Sequence, residues 1–308
     1  MQRRSFLKNG IMTGASTLAG GTLVANEILG NKKFGPAEKP FNLNYAIHDG
    51  MFKNSAGDDF LNQLKFAYDM GFRAMEDNGL CGRTPEMQSK IGDTMAKLGM
   101  SMGVFVLPKG GNGANTLASG KKESVDIFVQ GCKTAVEAAK RVNAKWTTMV
   151  PGDFARELPI GIQTANVIEG LRKGIEILEK NNLIMVLEPL SDTPDLFLRD
   201  SDQTYMICKA VNSPSCKILF DMYHMQRNEG NIINNIDKCW SEIAYFQIGD
   251  NPHRNEPTTG EMNYKNIFKH IYEKGFKGVL GMEHGNAKPG KEGEQALIKA
   301  YRDSDNFL

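Results

Sequence analysis

From Phe41 onward the chain alternates short apolar runs with longer amphipathic stretches, and this alternation constrains its fold more than any other feature. The apolar runs cover residues 42–47, 72–75, 102–107, 146–150, 184–187, 217–220, 243–248 and 278–282. Between them a helical pattern occupies residues 58–70, 86–98, 122–142, 161–181, 202–211, 229–238, 264–274 and 291–303. In the stretch starting at 161, Ile162, Ala165, Ile168, Leu171, Ile175 and Leu178 recur at helical spacing, with Arg172, Lys173, Glu176 and Lys180 opposite. The apolar runs are continuous rather than alternating, as strands covered on both faces require. Eight strand-helix units within residues 41–308 predict an α/β fold, a single (β/α)8 barrel. A doubly wound sheet is the alternative. Against it, no G-x-G-x-x-G follows the first run, and Gly110-Gly-Asn-Gly113 after the third opens no helix. That glycine cluster is expected to form a mobile loop over the site.

The first residues stand apart from this rhythm. Gln2-Arg-Arg-Ser-Phe-Leu-Lys8 precedes a weakly apolar, Gly- and Thr-rich stretch from Ile11 to Ala25, which resembles a twin-arginine export signal. The expected organisation is a signal peptide over 1–25, a linker over 26–40 and the barrel over 41–308, with the mature protein exported to the periplasm. Losing residues 1–25 removes Arg3, Arg4 and Lys8 and no acid, which takes the formal charge from +1 to −2. A nearly neutral chain lacks the basic footprint of a nucleic-acid partner. No run of 18 or more apolar residues exists, so no membrane span is expected. Cys81, Cys132, Cys208, Cys216 and Cys239 are odd in number and show no C-x-x-C spacing, so they read as structural thiols.

In a (β/α)8 barrel the chemistry collects at the carboxyl ends of the strands. The first three ends present His48, Glu76 and Lys109, which read as structural or peripheral, with His48 retained as a candidate substrate contact. The last four each finish apolar and then offer one oxygen donor. These are Glu188 in Val186-Leu-Glu-Pro-Leu190, Asp221 in Leu219-Phe-Asp-Met-Tyr-His224, Gln247, and Glu283 in Gly281-Met-Glu-His-Gly285. Two Glu, one Asp and one Gln form an oxygen-rich set suited to a hard divalent cation, Mn²⁺ or Mg²⁺, and less to Zn²⁺. A cation also answers the difficulty of burying three carboxylates together, since like charges otherwise force protonation. The long polar loop after the seventh run, carrying Asp250, His253, Arg254, Glu256 and Glu261, reads as a mouth that holds a ligand.

The stretch Gln247-Ile-Gly-Asp-Asn-Pro-His-Arg-Asn-Glu-Pro-Thr-Thr-Gly-Glu-Met-Asn-Tyr264 resembles the signature of hydroxypyruvate isomerases, within the xylose-isomerase-like barrel superfamily. Phe220-Asp-Met-Tyr-His224, Leu187-Glu-Pro-Leu-Ser191 and Gly281-Met-Glu-His284 agree in order and spacing. The resemblance implies a divalent metal held by Glu188, Asp221, Gln247 and Glu283, with Glu188 and Glu283 also moving the proton. It places His224 and Arg254 at the substrate's oxygens. Two residues depart from the pattern: His253 stands where a small residue is usual, and His284 stands where an aromatic is expected.

The expected reaction is isomerisation of an α-hydroxycarbonyl compound, a sugar or hydroxy-keto acid, through an enediolate. Proton return at the neighbouring carbon gives aldose-ketose isomerisation, and return on the opposite face gives epimerisation. Two alternatives stand beside it: an exported sugar or keto-sugar epimerase or lyase on the same metal site, and a non-catalytic carbohydrate-binding barrel. Nuclease chemistry of the apurinic type, known in the same superfamily, would require a His-rich multi-zinc site, which five dispersed His do not provide. Small barrels of this kind often form dimers or tetramers, but no stretch marks an interface, and the sequence leaves a homo-oligomer open rather than predicting one.

Overall fold

A computed structural model describes residues 37–308. The signal segment 1–25 and most of the linker lie outside the described residues. Eight strands run in parallel: β1 (Asn44–Ile47), β2 (Ala74–Met75), β3 (Ser101–Met102), β4 (Trp146–Met149), β5 (Ile184–Leu187), β6 (Cys216–Asp221), β7 (Ile243–Gln247) and β8 (Val279–Gly281). Their order in the sheet is β3-β2-β1-β8-β7-β6-β5-β4. The two ends of that order meet through a parallel bridge between Val106 and Thr148. There Leu107 N donates to Thr148 O at 3.0 Å and Thr148 N to Phe105 O at 2.9 Å. The expected (β/α)8 barrel is therefore the fold.

The third strand departs from expectation, because regular pairing stops at Met102 instead of running to Leu107. Gly103 explains the break. A Cβ there would lie 2.2 Å from the Tyr245 hydroxyl, so the backbone passes against a side chain crossing the barrel interior. Glycine in a strand marks such close approaches.

Ten helices surround the sheet among the described residues: α1 (Lys53–Ala56), α2 (Phe60–Asp69), α3 (Pro85–Leu98), α4 (Lys122–Val142), α5 (Ile160–Glu179), α6 (Ser201–Val211), α7 (Met222–Asn228), α8 (Ile232–Cys239), α9 (Tyr264–Glu273) and α10 (Gly290–Asp305). Eight match the expected set, and the short α1 and α7 are additions. The buried face of α5 is rotated from the expected one: Val167, Gly170, Leu171, Gly174, Ile175 and Leu178 are buried, while Ile162 is 51% exposed. Gly174 sets that face, since a Cβ there would meet the Phe128 ring at 2.4 Å. Small residues bring α5 close to α4.

Strand side chains separate into two apolar layers. Ala46, Ala74, Val104, Val186, Leu219, Tyr245 and Val279 form one cluster. The much larger cluster joins sheet to helices through side chains such as Tyr45, Phe72, Phe128, Phe220, Phe246 and Tyr301. Burying a large apolar side chain contributes about 1.5–3 kcal/mol, so the larger sheet-to-helix layer dominates the favourable burial. Cys132, Cys208, Cys216 and Cys239 lie buried as free thiols, with Cys81 half-buried. Asp305 on α10 ties the last helix to the first strand. It accepts from Asn42 N at 2.6 Å, Leu43 N at 3.3 Å and the Tyr45 hydroxyl at 2.8 Å. No helix of the described residues is long and apolar enough to cross a membrane.

Candidate active site

The oxygen donors expected at the last four strand ends sit side by side because their strands are neighbours. Asp221 is in register with Gln247, and Gln247 with Gly281, two residues before Glu283. Asp221 closes β6 and caps the N-terminus of α7, its Oδ1 accepting from Tyr223 N at 2.7 Å and His224 N at 3.4 Å. That cap turns the chain at once into a helix and brings His224 back over the strand end. Glu188, Asp221 and His224 each offer a ligand atom within 4.8 Å of the others. Glu188, His224, Arg254 and Glu283 line one cleft, together with Asn78, Lys109, Thr148 and Asp192.

Arg254 unites the cluster. Its Nη2 donates to Asp221 Oδ2 and to Glu283 Oε2, both at 2.9 Å, and its Nε donates to the Glu283 carbonyl at 3.0 Å. The guanidinium also covers the Tyr223 ring at 4.8 Å. Of the charged residues in the long polar loop, Arg254 is the one that reaches the cleft. Asp250 instead accepts from Gly260 N at 2.9 Å and Met262 N at 3.1 Å, and Glu256 accepts from Ala287 N at 2.8 Å. These two acids shape the loop, while His253 is exposed and Glu261 meets Gln226 at 3.3 Å. The loop is thus a scaffold for one side chain.

Crowded carboxylates shift one another. Burial pushes the Glu188 carboxyl well above the usual range, and the charges of Glu283 and Asp221 push it further. Glu283 is pushed up to about 7 by burial, with Arg254 pulling the other way. The carboxylates in turn hold the Arg254 guanidinium protonated despite its burial. His224 is lowered by burial, and its hydrogen bonds fix its form. Ser191 N donates to Nδ1 at 3.2 Å, with the Ser191 hydroxyl at 2.8 Å, so the ring hydrogen sits on Nε2, 3.6 Å from Asp221 Oδ2. In that form His224 offers an N–H beside the Asp221 carboxylate, within the cluster it forms with Glu188 and Asp221.

Gln247 is 1% exposed, donates from Nε2 to Glu76 Oε1 at 3.2 Å, and has a buried Oε1 without a hydrogen-bond partner. Leaving such an acceptor unmet costs about 1–3 kcal/mol. A free amide oxygen beside carboxylates short of positive charge is a donor set that fits a hard divalent cation. His48 meets Glu76 Oε1, the oxygen that also accepts from Gln247, through Nε2, and it lines a neighbouring cleft with Asp49, Lys53 and His284. Sequence reasoning missed Asn78, whose Nδ2 donates to Glu283 Oε1 at 2.9 Å, and Thr148, whose hydroxyl donates to Glu188 Oε2 at 3.3 Å. Asn78 follows Glu76 at the β2 end, and that position was its only signal. His284, the departure from the expected aromatic, keeps an aromatic's place by stacking on Tyr301 and meeting its hydroxyl at 2.7 Å.

Fold and strand-end acids together define a (β/α)8 barrel with an acidic site at its carboxyl mouth. Residues 64–304 match the family described as Xylose isomerase-like TIM barrel, and the chain belongs to that family. It is 32% identical to hydroxypyruvate isomerase from Escherichia coli over 163 residues, 51% of this chain and 62% of that protein. It is 31% identical to 2-oxo-tetronate isomerase from Cupriavidus necator over 139 residues, 44% of this chain and 53% of that protein. The chain thus spans about half to three fifths of the length of these two relatives. Among solved structures, an AP endonuclease of family 2 from Brucella melitensis superposes with a TM-score of 0.71 at 21% identity, covering 82% of this chain and 96% of that one. At that identity the likeness is one of fold.

Proposed function

We propose that the chain is a divalent-metal-dependent isomerase of small α-hydroxycarbonyl compounds, acting on hydroxypyruvate or a related 2-oxo acid. One observation carries the reading: two protonatable carboxyls, Glu188 and Glu283, share a cleft with Arg254, and Gln247, on the strand between those leading to Asp221 and Glu283, keeps a buried amide oxygen without a partner. The names of the relatives in the same family support the choice of reaction.

Glu188, Asp221, Gln247 and Glu283 would hold the cation. When bound, Mn²⁺ or Mg²⁺ would supply Lewis acidity to adjacent carbonyl and hydroxyl oxygens, acidifying the C–H between them. Glu188 and Glu283 divide the proton work. One carboxylate takes the proton from the hydroxyl-bearing carbon, and the C–H pair becomes the C=C bond of an enediolate while the carbonyl pair moves onto its oxygen. The other carboxyl protonates the former carbonyl carbon as the proton of the original hydroxyl passes to the former carbonyl oxygen, leaving the aldehyde. In the metal-free chain burial raises both carboxyls above the ordinary range, so each can carry a proton in this cleft. His224 donates from Nε2–H to a substrate oxygen. Arg254 offers its guanidinium fork to the substrate's carboxylate.

The partner is then a small molecule rather than a nucleic acid, in keeping with the near-neutral charge. Export by the twin-arginine route is part of the same proposal and rests on Arg3-Arg4 and the small-residue stretch behind them. Cell fractionation of wild type against an Arg3→Lys, Arg4→Lys double variant tests it; equal periplasmic yields would refute it.

The activity is tested by NMR in D₂O with Mn²⁺ and hydroxypyruvate. Deuterium entering the hydroxyl-bearing carbon, with the aldehyde isomer appearing, is the expected result. A parallel panel of keto-sugars decides the substrate: turnover of a keto-sugar with none of hydroxypyruvate would move the site to epimerase chemistry. Binding without exchange on any of them would make the barrel a binding protein.

A further inference from the structure

Glu76 lies outside the proposed ligand set, yet it is fully buried at the end of β2. Three donors converge on its carboxylate. The Tyr245 hydroxyl reaches Oε2 at 2.8 Å, Gln247 Nε2 reaches Oε1 at 3.2 Å, and His48 Nε2 also meets Oε1. Two glycines clear the space. A Cβ on Gly281 would lie 2.1 Å from Glu76 Oε2, and one on Gly103 would lie 2.2 Å from the Tyr245 hydroxyl. The neighbouring strands therefore accommodate this carboxylate at the level of the ligands.

A primary amide has two unlike ends, a donor and an acceptor, and only its acceptor can serve a cation. Nothing in the covalent structure of Gln247 chooses between them. Glu76 does, because a carboxylate bonded by three donors receives the NH₂ end and excludes the carbonyl. The Oε1 of Gln247 is left as the free end, buried and without a partner. Its strand lies between the one that ends in Asp221 and the one that leads to Glu283.

We infer that Glu76 is a positioning residue that sets the amide orientation of Gln247, so that its oxygen rather than its NH₂ faces the divalent cation. With the amide reversed, two N–H bonds would point at a positive charge and the fourth ligand would be lost. This rests on the metal-dependent reading above and adds one residue to it. Outer partners that orient a ligand typically change metal affinity by about 10- to 100-fold when removed.

The test is calorimetric titration of metal-stripped protein with Mn²⁺ alone, without substrate. Glu76→Leu removes the acceptor and is expected to weaken Mn²⁺ binding by about 10-fold or more, while Glu76→Gln keeps an oxygen facing Gln247 and stays within a few-fold of wild type. Folded Glu76→Leu protein with unchanged Mn²⁺ affinity overturns the inference and reduces Glu76 to packing. If Glu76→Leu does not fold, the exchange Glu76→Gln with Gln247→Glu decides. A carboxylate at position 247 presents oxygen at either end, and the amide introduced at position 76 can still donate to it, so near-wild-type affinity is expected, and a loss of about 10-fold overturns the inference. Wild-type protein that takes up no Mn²⁺ removes the cation itself, an outcome distinct from a wild type that binds and a Glu76→Leu variant that binds equally.

Discussion

Arg254 Nη2 lies 2.9 Å from Asp221 Oδ2 and 2.9 Å from Glu283 Oε2, so one guanidinium nitrogen bridges two of the carboxylates proposed to share a cation. In the metal-free chain the guanidinium offsets their repulsion, and on the proposed reading a bound cation would take over that role. Arg254→Met should therefore lower the melting temperature of metal-stripped protein, and saturating Mn²⁺ should close most of the gap. Thermal melts with and without chelator measure this. With a carboxylate substrate, kcat/KM should also fall by about 10- to 100-fold, the worth of one charge-assisted hydrogen bond. An equal melting gap in both metal states would refute the shared role.

Glu188→Gln and Glu283→Gln should each cut turnover by about 10²- to 10⁴-fold, the usual contribution of a positioned acid or base. Deuterium incorporation at the reacting carbon separates the two roles. A variant that has lost only the returning acid should still exchange the first hydrogen while failing to form product. Turnover of either variant within about tenfold of wild type would rule out proton work by that carboxyl.

These residues were legible because barrel topology converts sequence order into spatial order. Glu188, Asp221, Gln247 and Glu283 each follow an apolar run, and adjacency of β5 to β8 in the sheet does the rest. Contacts that depend on side-chain direction were not legible. Arg254 could have paired with Asp250 or Glu256 on its own loop, and only the fold shows those acids spent on backbone N–H groups. Glu76 read as peripheral because its partners, Tyr245 and Gln247, lie more than 160 residues away. The face of α5 was misjudged for a related reason: counting apolar residues favours Ile162, whereas packing against Leu117 selects Gly170 and packing against α4 selects Gly174.

The raised carboxyls give the metal-free protein a pH signature. Glu283 ionises at about 7 in the fold against its ordinary 4.5, so the folded state holds more protons than the unfolded chain between those values. Its contribution to stability is complete below the unfolded value and is lost as pH rises through the folded one. Asp250 and Asp305 shift in the same direction and are common to both proteins, so the difference between wild type and Glu283→Gln reports Glu283 together with the part of the Glu188 shift that its charge causes. Metal-stripped wild type should lose melting temperature from about pH 5 to pH 7 more steeply than Glu283→Gln. Mn²⁺ should stabilise wild type more at the upper end, because cation and proton compete for the same oxygens. Parallel slopes for the two proteins would contradict the assignment.

Asp305 separates stability from chemistry. Asn42 and Leu43 precede β1, so the carboxylate that holds them lies at the amino end of the barrel, where residues serve stability rather than reaction. Asp305→Ala leaves two backbone N–H groups and the buried Tyr45 hydroxyl without their acceptor, at a cost of about 3 kcal/mol. Urea unfolding should show that loss as a lower midpoint with an unchanged slope, since the same surface is exposed. Mn²⁺ affinity and turnover per folded molecule should match wild type, because the carboxyl mouth keeps its own contacts. A drop in Mn²⁺ affinity in folded Asp305→Ala would show instead that closure of the chain at β1 is transmitted along the strand to Glu76 and Gln247.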